Sequence, residues 1–112
     1  MHKDFRTAWL LLLLRDGSSY GYELRRELDL RSTDLDPAVM YRTLRDMEEK
    51  GFITSHWMHS DAGPRRRVYD ITEAGRHELA RIAAVIRGMR DSHSEFLAAV
   101  ERRAAPQARH AP

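Results

Sequence analysis

The first strong feature of the chain is an unbroken apolar run, Ala8–Leu14, inside a segment whose ends are polar. A run of this length predicts a buried helix, which we place over Asp4–Arg15, with Asp16-Gly17 as its C-terminal break. Because the leucines leave little polar surface, this helix should lie at the centre of the core. The run resembles a secretory signal peptide only superficially, since no small-residue cleavage site follows and it is too short to span a bilayer.

Two amphipathic helices are predicted next. Ser18-Ser19 should cap a helix over Tyr20–Leu30, and Asp36-Pro37 is a strong start for a third helix that runs to Lys50 and stops at Gly51. On the third helix, residues at helical spacing form a core face of Met40, Leu44 and Met47 and an opposite face of Ala38, Tyr41, Arg42, Arg45 and Glu49. This helix therefore presents aromatic and basic side chains to solvent or to a ligand.

A β-hairpin is predicted after the third helix. Phe52–Met58 and Arg66–Ile71 are rich in aromatic and β-branched residues, and the segment between them contains Asp61, Gly63 and Pro64. Strand alternation sends alternate arginines of the run Arg65, Arg66 and Arg67 to opposite faces. These charges could protect a free strand edge, but contact with a nucleic-acid backbone is the interpretation we favour.

A long fourth helix completes the pattern, capped by Thr72 and expected to reach about Arg103. Its apolar residues alternate at spacings of three and four, as in a heptad seam: Leu79, Ile82, Ile86, Met89, His93, Phe96 and Val100. Thirty residues span roughly 45 Å, more than the roughly 30 Å diameter expected of the rest of the domain. The distal half is therefore predicted to pair with a second copy of the chain.

The sequence leaves one alternative for this helix, which is a bend or fraying after Gly88. Ala104–Pro112 is poor in apolar residues and contains two prolines, so it is predicted to be a disordered tail. The expected organisation is a DNA-binding domain over residues 1–72, a dimerisation helix over 73–103 and a tail over 104–112. The fold class is mainly α with a small β-hairpin, in the form of a winged helix-turn-helix.

The amino-acid composition excludes some kinds of site and favours others. The 112 residues carry a formal net charge of +2, and Lys3 and Lys50 are the only lysines beside many arginines. Arginine forms bidentate contacts to phosphates and guanine edges, although a codon bias would enrich it equally. The absence of cysteine removes thiol chemistry and cysteine-ligated metals, and it fits a reduced cytoplasm. His56, His59 and Asp61 make a poor metal site, no cofactor motif is present, and no catalytic arrangement indicates an enzyme.

The order of helices and hairpin suggests how the chain could bind double-stranded DNA. In a helix-turn-helix the first helix lies against the backbone while the second enters the major groove, and here these would be the second and third helices. The hairpin could contact neighbouring phosphates or the minor groove. The residues predicted to contact DNA are Tyr22, Ala38, Tyr41, Arg42, Arg45, Arg65, Arg66 and Arg67.

Five segments, taken in order, resemble the PadR family of bacterial winged helix-turn-helix regulators. They are Gly21-Tyr22-Glu23-Leu24, Pro37–Leu44 with Tyr41, Leu44–Ile53 ending Glu48-Glu49-Lys50-Gly51-Phe52-Ile53, Gly63-Pro64-Arg65-Arg66-Arg67-Val68-Tyr69, and Ile71-Thr72-Glu73-Ala74-Gly75. The resemblance covers about residues 8 to 100. It implies a dimeric repressor that binds a palindromic operator, is often released by a small effector, and contacts DNA through tyrosines at positions 22 and 41 and a basic wing.

The chain also departs from the family pattern. The family often has Gly-Thr-Ile-Tyr-Pro where this sequence has Ala38-Val39-Met40-Tyr41-Arg42. A threonine hydroxyl is lost and an arginine gained, which suggests a different operator preference. The short C-terminal region resembles the subfamily with one dimerisation helix.

The sequence gives only a general indication of effector binding. Phe5, Trp9, Trp57 and Phe96 could line an apolar pocket near the dimer interface, with His93 as a polar contact, for a small apolar or aromatic effector. Ordinary core packing explains each aromatic residue as well. Two rival functions stay open: a module whose partner is a protein, and a module whose main activity is small-molecule sensing.

Overall fold

The structure, a computed structural model, describes residues 3–31, 35–60 and 63–109. The elements along the chain are α1 (Lys3–Arg15), β1 (Ser19–Tyr20), α2 (Gly21–Leu30), α3 (Pro37–Glu49), β2 (Ile53–Ser60), β3 (Gly63–Ile71) and α4 (Glu73–Arg109). This order, mainly helical with a small antiparallel sheet and a long last helix, confirms the expected fold class. The chain divides into two compact units, Met1–Ile82 and Ala83–Pro112.

The sheet has three antiparallel strands in the order β1-β3-β2, so β3 is central. The strand β1 was not predicted, and it corrects the expectation that Ser18-Ser19 caps the second helix. Ser19 pairs with Tyr69 and Tyr20 pairs with Val68, so the backbone stays extended up to Gly21. The N-cap residue is Tyr20, and its side chain makes no capping hydrogen bond.

The ends of α3 follow the sequence prediction closely. The carboxylate of Asp36 accepts a hydrogen bond of 2.8 Å from the backbone N–H of Ala38. At the other end, Gly51 adopts a φ of 80°, and the N–H groups of Gly51 and Phe52 donate to the carbonyls of Glu48 and Met47 at 3.0 Å. This is a Schellman ending, which requires the left-handed conformation that glycine adopts without strain.

One hydrophobic core joins the first three helices to the sheet. It consists of buried residues from every layer, namely Leu10, Leu11, Leu14, Leu24, Leu28, Met40, Leu44, Met47, Ile53 and Tyr69. Three leucines of the apolar run are almost completely buried, which confirms α1 as a core helix. The predicted core face of α3 is also confirmed, since Met40, Leu44 and Met47 are all buried.

Thr72 connects the hairpin to α4. Its hydroxyl accepts a hydrogen bond of 3.0 Å from the N–H of Gly75, as the predicted cap requires, and donates one of 2.6 Å to the carbonyl of Gly51. A β-carbon at Gly75 would overlap the carbonyl oxygen of Phe52, so only glycine allows this approach. Both strands of the hairpin extend further toward its tip than predicted. Asp61 and Ala62, at the tip, lie outside the described residues.

The fourth helix is longer than predicted. It remains helical through Gly88, and it continues past Arg103 to Arg109. The expectation of a disordered tail is therefore wrong for residues 104–109, where alanine, glutamine and arginine favour a helix despite Pro106. Residues 110–112 lie outside the described part of the chain. Among the described residues, no helix combines the length and apolar character needed to cross a membrane.

Candidate nucleic-acid interface

The exposed face of α3 carries the aromatic and basic residues that the pattern assigned to it. Tyr41 is 45% exposed, and Arg42 and Arg45 are also exposed, while the opposite face of the helix is buried. Ala38 is exposed near the start of the helix, and its backbone N–H is already bonded to Asp36. Ala38 can therefore offer a methyl group to a ligand but no further backbone donor.

The position of Tyr41 depends on α2. A β-carbon built on Gly21 would lie 2.5 Å from the hydroxyl oxygen of Tyr41 and 2.6 Å from a ring carbon. The ring therefore occupies the space that a side chain at Gly21 would need. Sequence reasoning did not find this contact, because nothing in the spacing of Gly21 and Tyr41 indicates it. Tyr22, the next residue, is exposed beside Arg25, Arg26 and Asp29.

The β2–β3 hairpin, called the wing below, carries its arginines on both faces as predicted. The guanidinium carbons of Arg65 and Arg67 lie 5.3 and 5.4 Å from the ring centroid of Trp57. On the other face, the guanidinium carbon of Arg66 lies 4.6 Å from the centroid of Tyr20. All three arginines are exposed, and each lies within cation–π distance of an aromatic ring.

Trp57 was suggested as part of an apolar effector pocket, and its surroundings do not support that suggestion. It lies on the wing opposite Arg67, and its exposed ring contacts two guanidinium groups. On the face of the wing that carries Trp57, the buried residues Ile53 and Tyr69 lie nearer the base, and Trp57 lies nearer the tip. Its neighbours are therefore cations and solvent.

A polar network that was not predicted joins α3 to the wing. The hydroxyl of Ser55 donates one bifurcated hydrogen bond to the two carboxylate oxygens of Glu48, at 2.8 and 2.9 Å. Arg67 donates from Nε to the hydroxyl of Ser55 at 2.9 Å, and its Nη2 lies 3.6 Å from Oε1 of Glu48. Sequence reasoning missed Glu48 because it lies in an ordinary charged run, Glu48-Glu49-Lys50.

Between α3 and β3 lies a polar cleft of about 200 Å³. Its lining is two tyrosines, two arginines and one acid: Tyr41, Tyr69, Arg45, Arg67 and Glu48. Burial raises the pKa of Tyr69 above its ordinary value, and the nearby Arg67 opposes this. The hydroxyl of Tyr69 is therefore protonated at neutral pH, so that it can donate a hydrogen bond. Tyr41, Tyr69 and Arg45 line the cleft with hydrogen-bond donors, and the carboxylate of Glu48 gives it a negative charge.

The other predicted residues are distributed as follows. Phe5 and Trp9 meet edge to face with centroids 6.3 Å apart, and Trp9 packs against the core. His93 and Phe96 are exposed on α4, in the unit that begins at Ala83. The structure gives His56 a contact with Asp70, with Nδ1 and Oδ2 3.5 Å apart, and the described residues hold no group of three metal-binding side chains.

Comparison with known proteins identifies the family. A family model described as the transcriptional regulator PadR-like family matches residues 10–81, which is more than half of the 112 residues. The chain belongs to the PadR-like family of transcriptional regulators. Its family thus regulates transcription and is not defined by an enzymatic reaction, and the resemblance noted in the sequence is confirmed.

Individual relatives agree with this assignment. The PadR-like chain is 36% identical over 75 residues to a Mycobacterium tuberculosis protein named as a probable transcriptional regulator, a match that covers 64% of this chain and 40% of that protein. The chain thus spans well under two thirds of that relative. A crystal structure of a PadR family transcription regulator from Clostridium difficile matches with a TM-score of 0.76 and 28% identity, over 83% of this chain and 98% of the other.

A more distant structure shows the same fold. The PadR-like regulator of Bacillus cereus is 24% identical, with a TM-score of 0.70 over 81% of this chain and 89% of that one. This likeness establishes the shared arrangement of helices and wing, and at this identity it carries no residue roles.

Proposed function

We propose that this PadR-like protein is a sequence-specific DNA-binding regulator that represses transcription by occupying a palindromic operator as a homodimer. The observation that carries the proposal is the exposed aromatic and basic face of α3 beside a wing with three exposed arginines. The two elements suit two parts of one duplex, since a helix fits the major groove and arginines bind phosphates or a narrow minor groove.

In this proposal α3 enters the major groove and α2 lies against the backbone. Arg42 and Arg45 contact base edges or phosphates, Tyr41 donates its hydroxyl to a phosphate, and the exposed methyl of Ala38 contacts the groove. Tyr22 contacts the backbone from α2. The wing contributes phosphate contacts through Arg65 and Arg66, while Arg67 lies at the base of the wing beside the cleft.

The uncovered seam of α4 supports the proposed dimer. Beyond Ala83 the seam residues Ile86, Met89, Phe96 and Val100 are exposed, and His93 lies among them. A continuous apolar stripe on a helix marks an association surface, and a two-fold dimer covers it with an identical stripe. Ile82 is buried and Leu79 packs on the core of this same chain, so the proposed interface begins at Ile86.

The proposal includes release from DNA by a small apolar or aromatic effector. Phe5 is partly exposed and packs edge to face against Trp9, so these two rings are the candidate contacts in the first unit. An effector should quench Trp9 fluorescence and weaken DNA binding together. Quenching without any change in DNA affinity would favour small-molecule sensing as the main activity.

The decisive experiment is binding-site selection from random duplexes, followed by footprinting. The proposal predicts an enriched palindrome whose half-sites are separated by about one helical turn or a multiple of it. If the dimer makes about ten phosphate contacts, log K should fall against log salt with a slope of roughly −9. Failure to enrich any sequence, or an affinity that salt does not change, would contradict the proposal.

A double variant separates DNA binding from binding of a protein partner. Arg42→Ala combined with Arg66→Ala should abolish operator binding while the dimer stays intact, as size-exclusion chromatography with light scattering can show. Arg76→Ala is the matched control, because it removes an exposed arginine of α4. If the double variant binds DNA as the control does, DNA contact through α3 and the wing is wrong.

A further inference from the structure

The network of Glu48, Ser55 and Arg67 connects three elements at the base of the wing. Glu48 belongs to α3, Ser55 to β2 and Arg67 to β3. Ser55 donates to both oxygens of Glu48 and accepts from Arg67, which also lies 3.6 Å from the same carboxylate. The network therefore joins the proposed recognition helix to both strands of the wing.

Arg67 differs from its two neighbours in the number of contacts that hold it. Its guanidinium has a carboxylate and a hydroxyl as partners and an aromatic ring beside it. Arg65 lies over the ring of Trp57 and Arg66 over that of Tyr20. Among the residues that the structure describes, neither arginine has an ion-pair partner, whereas Arg67 does. The charges of Arg65 and Arg66 are thus available to an anion, whereas that of Arg67 is partly neutralised.

We propose that Glu48 is a positioning residue for operator recognition, acting through Ser55 and Arg67 to fix the wing relative to α3 while Arg65 and Arg66 contact the phosphates. This inference rests on the proposed function. Two elements that enter neighbouring grooves must keep a fixed separation, since a shift of about 1 Å misaligns their hydrogen bonds. A wing already ordered in the free protein also loses less entropy on binding.

The negative charge of Glu48 should weaken the affinity for DNA, and this loss can be measured. A carboxylate in the cleft beside Arg45 and Tyr41 repels the phosphates of every duplex, whatever its sequence. Glu48 should therefore weaken binding to random DNA while it improves the fit to one register of operator. Specificity of this kind depends on a repulsive element as well as on attractive contacts.

The test compares two neighbouring glutamates. Glu48→Gln and the control Glu49→Gln make the same change of charge, and Glu49 is exposed on the same helix. Affinity is measured for the duplex enriched by selection and for a shuffled duplex of the same composition. Glu48→Gln should lower the ratio of these affinities about tenfold, or about 1.4 kcal/mol in total, because each of the two subunits of a dimer loses one surface contact. Glu49→Gln should leave the ratio within twofold.

Ser55→Ala removes the hydroxyl that connects the network and leaves all charges in place. It should lower the same ratio, so the result does not depend on charge alone. A purely structural defect would weaken binding to both duplexes equally. An unchanged ratio in Glu48→Gln and Ser55→Ala, in a protein whose wild type prefers the selected duplex, would overturn the inference and leave the proposed function standing.

A second measurement needs no DNA. With 5-fluorotryptophan incorporated, the fluorine resonance of Trp57 should shift or broaden in Glu48→Gln and Ser55→Ala, because the guanidinium of Arg67 lies over its ring. Trp9, which packs against the core, serves as the internal control. An unchanged Trp57 resonance would overturn the inference. If the Trp57 resonance changes in the two variants but the wild type prefers no duplex, the result contradicts the proposed function and, with it, the recognition role of Glu48.

Discussion

The unit that ends at Ile82 and the part of α4 that follows both have apolar residues at helical spacing. These side chains are buried in the first region and exposed in the second. In the first unit Leu44 is 0% and Ile82 is 2% exposed, whereas Met89 is 52% and Phe96 is 66% exposed in the second. The spacing of apolar residues is continuous from one to the other along α4. Periodicity therefore identifies an apolar face, and it does not say whether the same chain buries that face.

This difference predicts two kinds of response to truncation. A residue buried by its own chain contributes to folding at any protein concentration. A residue buried by a second copy contributes through association, so its effect depends on concentration.

The largest effect is expected at the centre of the first unit. Leu44→Ala should lower the free energy of unfolding by about 2–5 kcal/mol, since it leaves a cavity among residues that cannot collapse onto it. Leu30→Ala is the matched control, because the same truncation at a side chain that is 70% exposed should change little. Urea denaturation monitored by circular dichroism measures both. Equal losses for the two variants would show that the described core is wrong.

The next effect is expected at the exposed seam. Phe96→Ala should weaken the proposed dimer by about 2 kcal/mol, or about thirtyfold in its dissociation constant, because aromatic residues dominate such interfaces. Sedimentation equilibrium measures the change, and Ser94→Ala, on the opposite side of α4, should leave it unaltered. A wild-type chain that stays monomeric at high concentration would refute the assignment of this seam.

The fold was largely predictable because each element carries a local signal. Asp36-Pro37 begins α3 and Gly51 ends it, and both are visible in the sequence. β1 was missed since a strand of two residues, Ser19 and Tyr20, has no periodicity and exists only through its pairing with β3. The extension of α4 past Arg103 was not predicted, because Ala104–Pro112 is poor in apolar residues and contains two prolines, although its alanines favour a helix.

The candidate site was only partly predictable. Exposure of Arg42, Arg45 and the wing arginines follows from helical and strand spacing. The contact of Tyr41 with Gly21 joins residues distant in sequence, and so does the contact of Glu48 with Ser55 and Arg67. Such contacts depend on how helices and strands are placed in three dimensions, which no local pattern records.

A smaller effect tests whether a substitution can lower DNA affinity without lowering the stability of the core. Gly21→Ala should displace the ring of Tyr41 and lower operator affinity about tenfold, the cost of one hydrogen bond to a charged group. Stability should stay nearly constant, because alanine suits a helix and the tyrosine ring can move into solvent. Fluorescence anisotropy and thermal denaturation measure the two quantities. Tyr41→Phe, which removes only the hydroxyl, should reproduce the affinity loss.

The smallest effect compares two ion pairs of α4, one in each unit. Glu78 accepts hydrogen bonds from Arg81 at 2.7 and 3.0 Å with a side chain only 17% exposed, and this bonding lowers its pKa. Its contribution is therefore complete above the ordinary glutamate pKa and is lost as pH falls through the lowered value.

Glu78→Gln should accordingly cost up to about 0.5 kcal/mol at pH 7 and nothing at pH 2, as urea denaturation at the two pH values would show. Glu95→Gln is the counterpart in the distal unit, where Glu95 and Arg102 are 3.1 Å apart and well exposed. Because solvent screens that pair, its removal should be neutral at both pH values. A larger loss for Glu95→Gln would show that a partner chain covers the distal pair, and it would extend the dimer contact beyond the apolar seam.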